Sequence, residues 1–173
     1  MVQDLVKKIR RVPDYPTKGI LFYDVTTLFK DADALREILD ALYEIYKDKG
    51  ITKVVGVESR GLVLAPALAI RLGAGFVPAR KPGKLPAKVL SASYRKEYGF
   101  DSVEIHQDAL TPDDVVLVHD DLLATGGTVG AVVNLVRQFE VKDVCANFII
   151  EIDELNGRRH MPSNIWITSL IHV

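Results

Sequence analysis

The sequence predicts an α/β fold with a mainly parallel sheet and helices on both of its faces. Three observations lead there. Short apolar runs at Lys53–Val57, Val115–Val118 and Val144–Ile152 read as buried strands. Segments with apolar residues three or four apart lie between them. The order strand, helix, strand, helix, strand then calls for crossover connections, which parallel pairing requires.

The elements can be justified in order. From Ala34 to Lys49, the residues Leu35, Ile38, Leu39, Leu42, Ile45 and Tyr46 share one helical face. Asp31 or Asp33 can cap its start and Gly50 can stop it. The strand Lys53–Val57 follows. Leu62 to Leu72 is apolar and Ala-rich with Gly73 as a stop, so a packed helix is expected, with Pro66 tolerated in a first turn or as a kink. Gly75–Ala79 reads as a short strand. Arg80 to Asp101 is polar and broken by Pro82, Gly83, Pro86 and Gly99, and is expected to be a functional or mobile loop. Val115–Val118 is a strand, Thr128–Phe139 a helix, and Val144–Ile152 a further strand.

Composition narrows the class. At 173 residues, with 48% hydrophobic and 26% charged, the chain suits one ordered domain rather than a disordered one. A formal net charge of -1 argues against a general nucleic-acid binder. The single Cys145 leaves no intramolecular disulfide and no Cys-only zinc site. No apolar run approaches the roughly 18 residues of a membrane span. Met1 to Pro13 lacks the apolar core of a secretory signal, so a cytoplasmic protein is expected.

In parallel sheets of this kind, ligands bind beyond the carboxyl ends of the strands. Val115–Val118 is followed by His119, Asp120, Asp121, Leu122, Leu123, Ala124, Thr125, Gly126, Gly127 and Thr128, then a helix. The glycines let the backbone turn tightly. Their N–H groups join the unpaired ones of the helix start to make an anion cradle, and Thr125 and Thr128 add hydroxyls. A phosphate monoester fits such a cradle. Asp120 and Asp121 can accept from sugar hydroxyls. The spacing is neither that of a Walker loop nor that of a dinucleotide fingerprint. A plain turn with capping aspartates is the alternative. His106, His119, His160 and His172 show no metal-ligand spacing.

This run resembles the phosphoribosyl diphosphate (PRPP) motif of the type I phosphoribosyltransferases. The segments Pro13–Asp24, Glu58–Gly61, Arg80–Pro86, Ser93–Gly99 and Glu104–His106 are similar to those of the adenine phosphoribosyltransferases within that family. The likeness spans nearly the whole chain. It implies a type I phosphoribosyltransferase fold over residues 1–173, with a small N-terminal hood at about 13–30. It implies Mg²⁺-dependent transfer of the phosphoribosyl group from PRPP to adenine, giving AMP and pyrophosphate. Ala124, Thr125, Gly126, Gly127 and Thr128 would bind the 5-phosphate, and Asp120 and Asp121 the ribose. Ser59, Arg60, Arg80 and Lys84 would bind pyrophosphate. Arg80 would reach into the neighbouring site of a homodimer. Leu21 and Tyr23 would read adenine through their backbone, between Phe22 and Leu122. Glu97 would do the proton work, with Tyr98 covering the site. The magnesium ion would be held mainly by PRPP.

Some positions depart from the family pattern. Tyr23 stands where Arg or Lys is common, and Lys96 and His119 stand where apolar residues are common. Two rivals accompany the reading: a phosphoribosyltransferase for another purine such as xanthine, and a PRPP-sensing regulator of the same fold. A regulator has no use for Glu97, and neither a DNA-binding helix pair nor a basic face is evident. No nucleic-acid or membrane partner is expected.

Overall fold

The computed structural model describes residues 2–95 and 99–173. A 3₁₀ segment, Val2–Lys8, leads into an antiparallel hairpin of β1 (Arg10–Pro13) and β2 (Leu21–Asp24). This is the hood, and its first strand begins before the expected boundary. The short α1 (Thr26–Phe29) and long α2 (Ala32–Tyr46) follow. Of the two candidate caps, Asp31 takes the role: its side chain accepts from the N–H groups of Asp33 and Ala34. Ala34, Ile38, Leu42 and Tyr46 are buried along one stripe of α2.

Next come β3 (Lys53–Val57), α3 (Gly61–Leu72) and β4 (Gly75–Ala79), the strands where the sequence places them. Pro66 falls in the second turn of α3, which excludes the first-turn alternative of the two the sequence allowed. The second half of the stretch read as a loop enters a second antiparallel ribbon, β5 (Val89–Arg95) with β6 (Phe100–His106). The long β7 (Val115–Leu123) runs on through both aspartates, five residues past the expected end. It is followed by α4 (Gly127–Arg137) and β8 (Asp143–Glu151). Two 3₁₀ turns, Asp153–Leu155 and Gly157–His160, precede β9 (Trp166–His172), a strand the sequence reading does not anticipate.

The main sheet has five strands in the order β4-β3-β7-β8-β9, all parallel. Alternate residues feed two cores, one on each face. Val54, Leu117 and Cys145 pack with α2 and α3. Val55, Val116, Val118, Val144 and Ala146 pack with α4 and the β5–β6 ribbon. Cys145 is 6% exposed, and burial pushes its thiol up to about 12. Among the described residues, no helix is long and apolar enough to cross a membrane.

Candidate functional site

The parallel strands share one carboxyl edge, where Ser59 and Arg60 follow β3, Arg80 follows β4, Asp120 and Asp121 lie near the end of β7, and Ala124–Thr128 follow it. Between β7 and α4 the chain turns at Gly126, whose φ of +82° lies in the left-handed region. The first-turn N–H groups of α4 are thereby presented at the end of β7. Thr125 is exposed, and Thr128 is partly buried. A small cleft lined by Thr128, Glu58, Arg80 and Tyr94 joins this loop to the next strand end and to the ribbon.

Asp120 and Asp121 lie within β7, just before the loop. Asp121 is 2% exposed, and its Oδ2 is 2.9 Å from Nε of Arg60. Burial, then the neighbouring Asp121 charge, push the Asp120 carboxyl well above the usual range. Burial also raises Asp121, while Arg60 pulls it back down. Two adjacent acids thus share one neighbouring cation, paired directly with Asp121. Directly before them, His119 is fully buried and its Nδ1 is 2.7 Å from Oδ1 of Asn147. Burial lowers its pKa to about 4, so the ring is neutral at physiological pH. His119 Nε2 and Asn147 Nδ2 are buried with no hydrogen-bond partner.

The end of β3 comes up against the end of β7. A Cβ on Gly61 would lie 2.7 Å from the His119 carbonyl oxygen, so only glycine permits this approach. The approach delivers Arg60 to Asp121. Ser59 is exposed beside it. The family resemblance implies an anion partner for Arg60 outside the protein; the chain also supplies one inside it. The same guanidinium lies 5.4 Å from the ring centre of Phe22, and Tyr15 meets Phe22 edge-on at 5.1 Å. One side chain therefore links the hood, the β3 end and the acid pair.

Arg80 is held by Glu58 of its own chain, through Nε at 3.1 Å and Nη2 at 3.3 Å. The Lys81 N–H also donates to Glu58, at 2.7 Å. The Arg80 hydrogen bond, with Lys81 and the charge of Lys84, keeps Glu58 below the ordinary range. Lys84 itself is exposed. Glu58 and Tyr15 belong to this constellation although no role was expected for either. Their signal was position: Glu58 is the first residue beyond β3, and Tyr15 falls in the turn of the hood.

In the hood, Leu21 is exposed and Phe22 and Tyr23 are partly buried. The hairpin has two strands, so alternate residues of β2 keep backbone groups off the ladder. Leu21 and Tyr23 are two apart and so share one side of β2, opposite Pro13 and Arg11 of β1. Leu122 is partly buried and packs toward the α2–α3 core. Glu97 and Tyr98 lie outside the described residues.

A second polar cluster lies at the end of β8. His172, Asp153 and Glu151 bring ligand-type atoms within 4.8 Å of one another, a grouping hidden in the linear spacing of the histidines. Both Glu151 oxygens already accept from Arg158, and one also from Ser169, which leaves them committed within the fold.

Residues 24–171 match the model of the phosphoribosyl transferase domain family. The chain is 64% identical over 157 residues to the adenine phosphoribosyltransferase of Bacteroides fragilis, covering 91% of this chain and 88% of that one. It is similar to the crystal structure of adenine phosphoribosyltransferase from Rhodothermus marinus, with a TM-score of 0.93, 44% identity and coverage of 99% and 98% of the two chains. The enzyme of Saccharomyces cerevisiae, solved with an imino-altritol bisphosphate and adenine, gives a TM-score of 0.91 at 39% identity, covering 98% and 97%.

Proposed function

Since the chain belongs to the phosphoribosyltransferase family, we propose a division of labour around the carboxyl edge of its sheet. The enzyme transfers the 5-phosphoribosyl group of PRPP to adenine, releasing pyrophosphate and forming AMP. The observation that carries the assignment of roles is the meeting of three parts at Arg60: the acid pair, the β3 end and the aromatic hood.

The N–H groups and hydroxyls of Ala124–Thr128 hold the 5-phosphate at the start of α4. Asp120 and Asp121 accept from the ribose hydroxyls. Their raised pKa values favour a ligand that brings donors to them. Ser59, Arg60, Arg80 and Lys84 receive the pyrophosphate. As its bond to the sugar breaks, negative charge gathers on the leaving oxygens, and these cations stabilise it. The sugar carbon takes on oxocarbenium character. Adenine, held by the Leu21 carbonyl and the Tyr23 N–H between Phe22 and Leu122, attacks that carbon through a ring nitrogen. Glu97 accepts the proton that nitrogen sheds, and Tyr98 covers the site.

The reaction calls for Mg²⁺. The hard carboxylate oxygens of Asp120 and Asp121 suit it, through the ribose hydroxyls or water, with PRPP oxygens as the main ligands. When bound, Mg²⁺ would neutralise charge on the departing pyrophosphate.

The working unit is a homodimer. Val63 and Ile70 on α3 and Phe76 on the edge strand β4 are exposed at 54%, 80% and 39%. Apolar groups left open on one helix and the adjoining edge suit a self-complementary contact. A cytoplasmic setting accords with the single free thiol.

Incubation with PRPP, Mg²⁺ and each base separately tests the reading. Adenine should give its nucleotide far faster than hypoxanthine, guanine, xanthine or orotate. One acceptor and one donor match its edge, and 6-oxopurines reverse that pattern. Comparable turnover of guanine or hypoxanthine would overturn the assignment.

A further inference from the structure

The phosphate loop does not hold its shape alone. The 3₁₀ turn Gly157–His160 packs against it. A Cβ on Gly126 would lie 2.2 Å from the Gly157 carbonyl oxygen, and one on Gly157 would lie 2.3 Å from that of Ala124. Farther along α4, a Cβ on Gly130 would lie 2.8 Å from the His160 carbonyl oxygen. Backbone meets backbone at each of these places. No flexible side chain stands between to absorb a shift of the turn.

An ion pair fixes the turn. Glu151, the last residue of β8, is 5% exposed. Arg158 donates to both of its oxygens, from Nε and from Nη2, each at 2.7 Å. Ser169 Oγ of β9 donates to the same carboxylate at 2.6 Å. Arg158 Nη1 also donates to the Ile167 carbonyl at 3.3 Å. One guanidinium thus ties the turn to β8 and β9 together. Its hydrogen bonds hold Glu151 below the usual carboxylate range, so the pair is ionised at neutral pH.

We infer that Glu151 and Arg158 are positioning residues for the phosphate loop: their two-pronged pair sets the Gly157 backbone against Ala124 and Gly126, and so aims the loop N–H groups at the ligand phosphate. The inference rests on the reading of Ala124–Thr128 as the 5-phosphate site. Neither residue touches the ligand; both act through the turn.

Arg158→Lys keeps the charge, but an ammonium cannot span both oxygens with the same geometry. Steady-state kinetics should show KM for PRPP rising roughly 10- to 100-fold, the scale expected when a site is displaced by about 1 Å. KM for adenine and the melting temperature should hardly move. Thr128→Val, measured in parallel, probes the loop directly. If Thr128→Val raises KM for PRPP and Arg158→Lys does not, the inference falls while the site reading stands. If neither variant moves it, both fall. Equal rises in both KM values with a large drop in melting temperature would also overturn it, because the pair would then be only a structural clamp. Should Arg158→Lys fold poorly, Glu151→Asp shortens the same pair by one methylene and is read by the same split.

Discussion

Asp114 and Asp121 lie near opposite ends of one strand and are buried alike, at 6% and 2% exposure. Their surroundings differ. Asp114, just before β7, accepts from Thr52 Oγ1 at 2.6 Å and from the Thr111 N–H at 2.8 Å, with Lys53 Nζ at 3.7 Å. Burial alone would raise its pKa, but those hydrogen bonds and the lysine bring it below the usual value. Asp121, at the other end, has Arg60 and lies beside a second acid, and its pKa is raised. The amino end of β7 is electrostatically settled; its carboxyl end is left in want of partners. Stability and ligand binding are therefore written at opposite ends of the same strand, and substitutions can test that separation.

The largest effect is expected at the settled end. Asp114→Ala strands the donors of Thr52 and Thr111. The two shorter hydrogen bonds to the ionised group, at about 1.5–3 kcal/mol each, put the loss of stability at about 3–6 kcal/mol. Denaturant unfolding would measure it, and KM for PRPP in the folded enzyme should stay unchanged. A shifted KM with intact stability would reverse the assignment of the two ends.

Next comes a pH effect from the carboxyl edge. His119 falls from 6.5 to about 4 in the fold, so the unfolded chain binds the extra proton first as pH drops. Stability should be complete above pH 6.5 and decline toward pH 4, by about 3 kcal/mol at roughly 1.4 kcal/mol per pH unit. Asp114 follows the same sign at lower pH, being lost as pH falls through its depressed value. The raised Asp120 and Asp121 oppose both, because the fold binds their protons more tightly and loses stability as pH rises through their raised values. His119→Leu should remove the decline between pH 6.5 and 4, as followed by urea titration across that window. A decline that persists in the variant would assign it elsewhere.

Asp121→Asn should raise KM for PRPP roughly 10-fold, since hydrogen bonds to a charged acceptor are about twice as strong as neutral ones. The melting temperature should change little, because a strained carboxylate leaves along with its ion pair. Unchanged KM would make the acid pair a turn feature only.

The smallest effect is expected in the hood. Phe22→Leu keeps an apolar wall but loses part of a stacking contribution of about 1–3 kcal/mol per base. Adenine affinity should fall a few-fold by direct titration, with PRPP affinity unaltered. Equal weakening of both ligands would make Phe22 a support for Arg60 rather than a wall for the base.

Much of this frame is legible in the chain. β3 and β4 are bounded in sequence by glycines and polar residues and appear where expected. The Thr125–Thr128 loop is legible because glycine and threonine before a helix have a local physical meaning. The ribbon was hidden by its polarity. Leu90, Ala92 and Tyr94 do alternate with Ser91, Ser93 and Arg95, but the glycines and prolines around them speak for a loop. The extension of β7 was hidden because aspartates are poor strand formers, and only pairing with β8 holds them extended. Contacts such as Arg60 with Asp121, or Arg158 with Glu151, depend on which loops the crossovers bring together. No local pattern encodes them.

Cys145 gives the sheet a built-in clock. It lies on β8, in register with Leu117 on one side and Trp166 on the other. No other cysteine competes for a thiol reagent. Burial keeps its sulfur protonated and out of reach, and therefore unreactive while the strands stay paired. Modification must wait for β8 to open. The rate at which a maleimide or disulfide reagent consumes this one thiol would count openings of the sheet directly, and its slowing on addition of PRPP would time how far a ligand at the edge tightens β8.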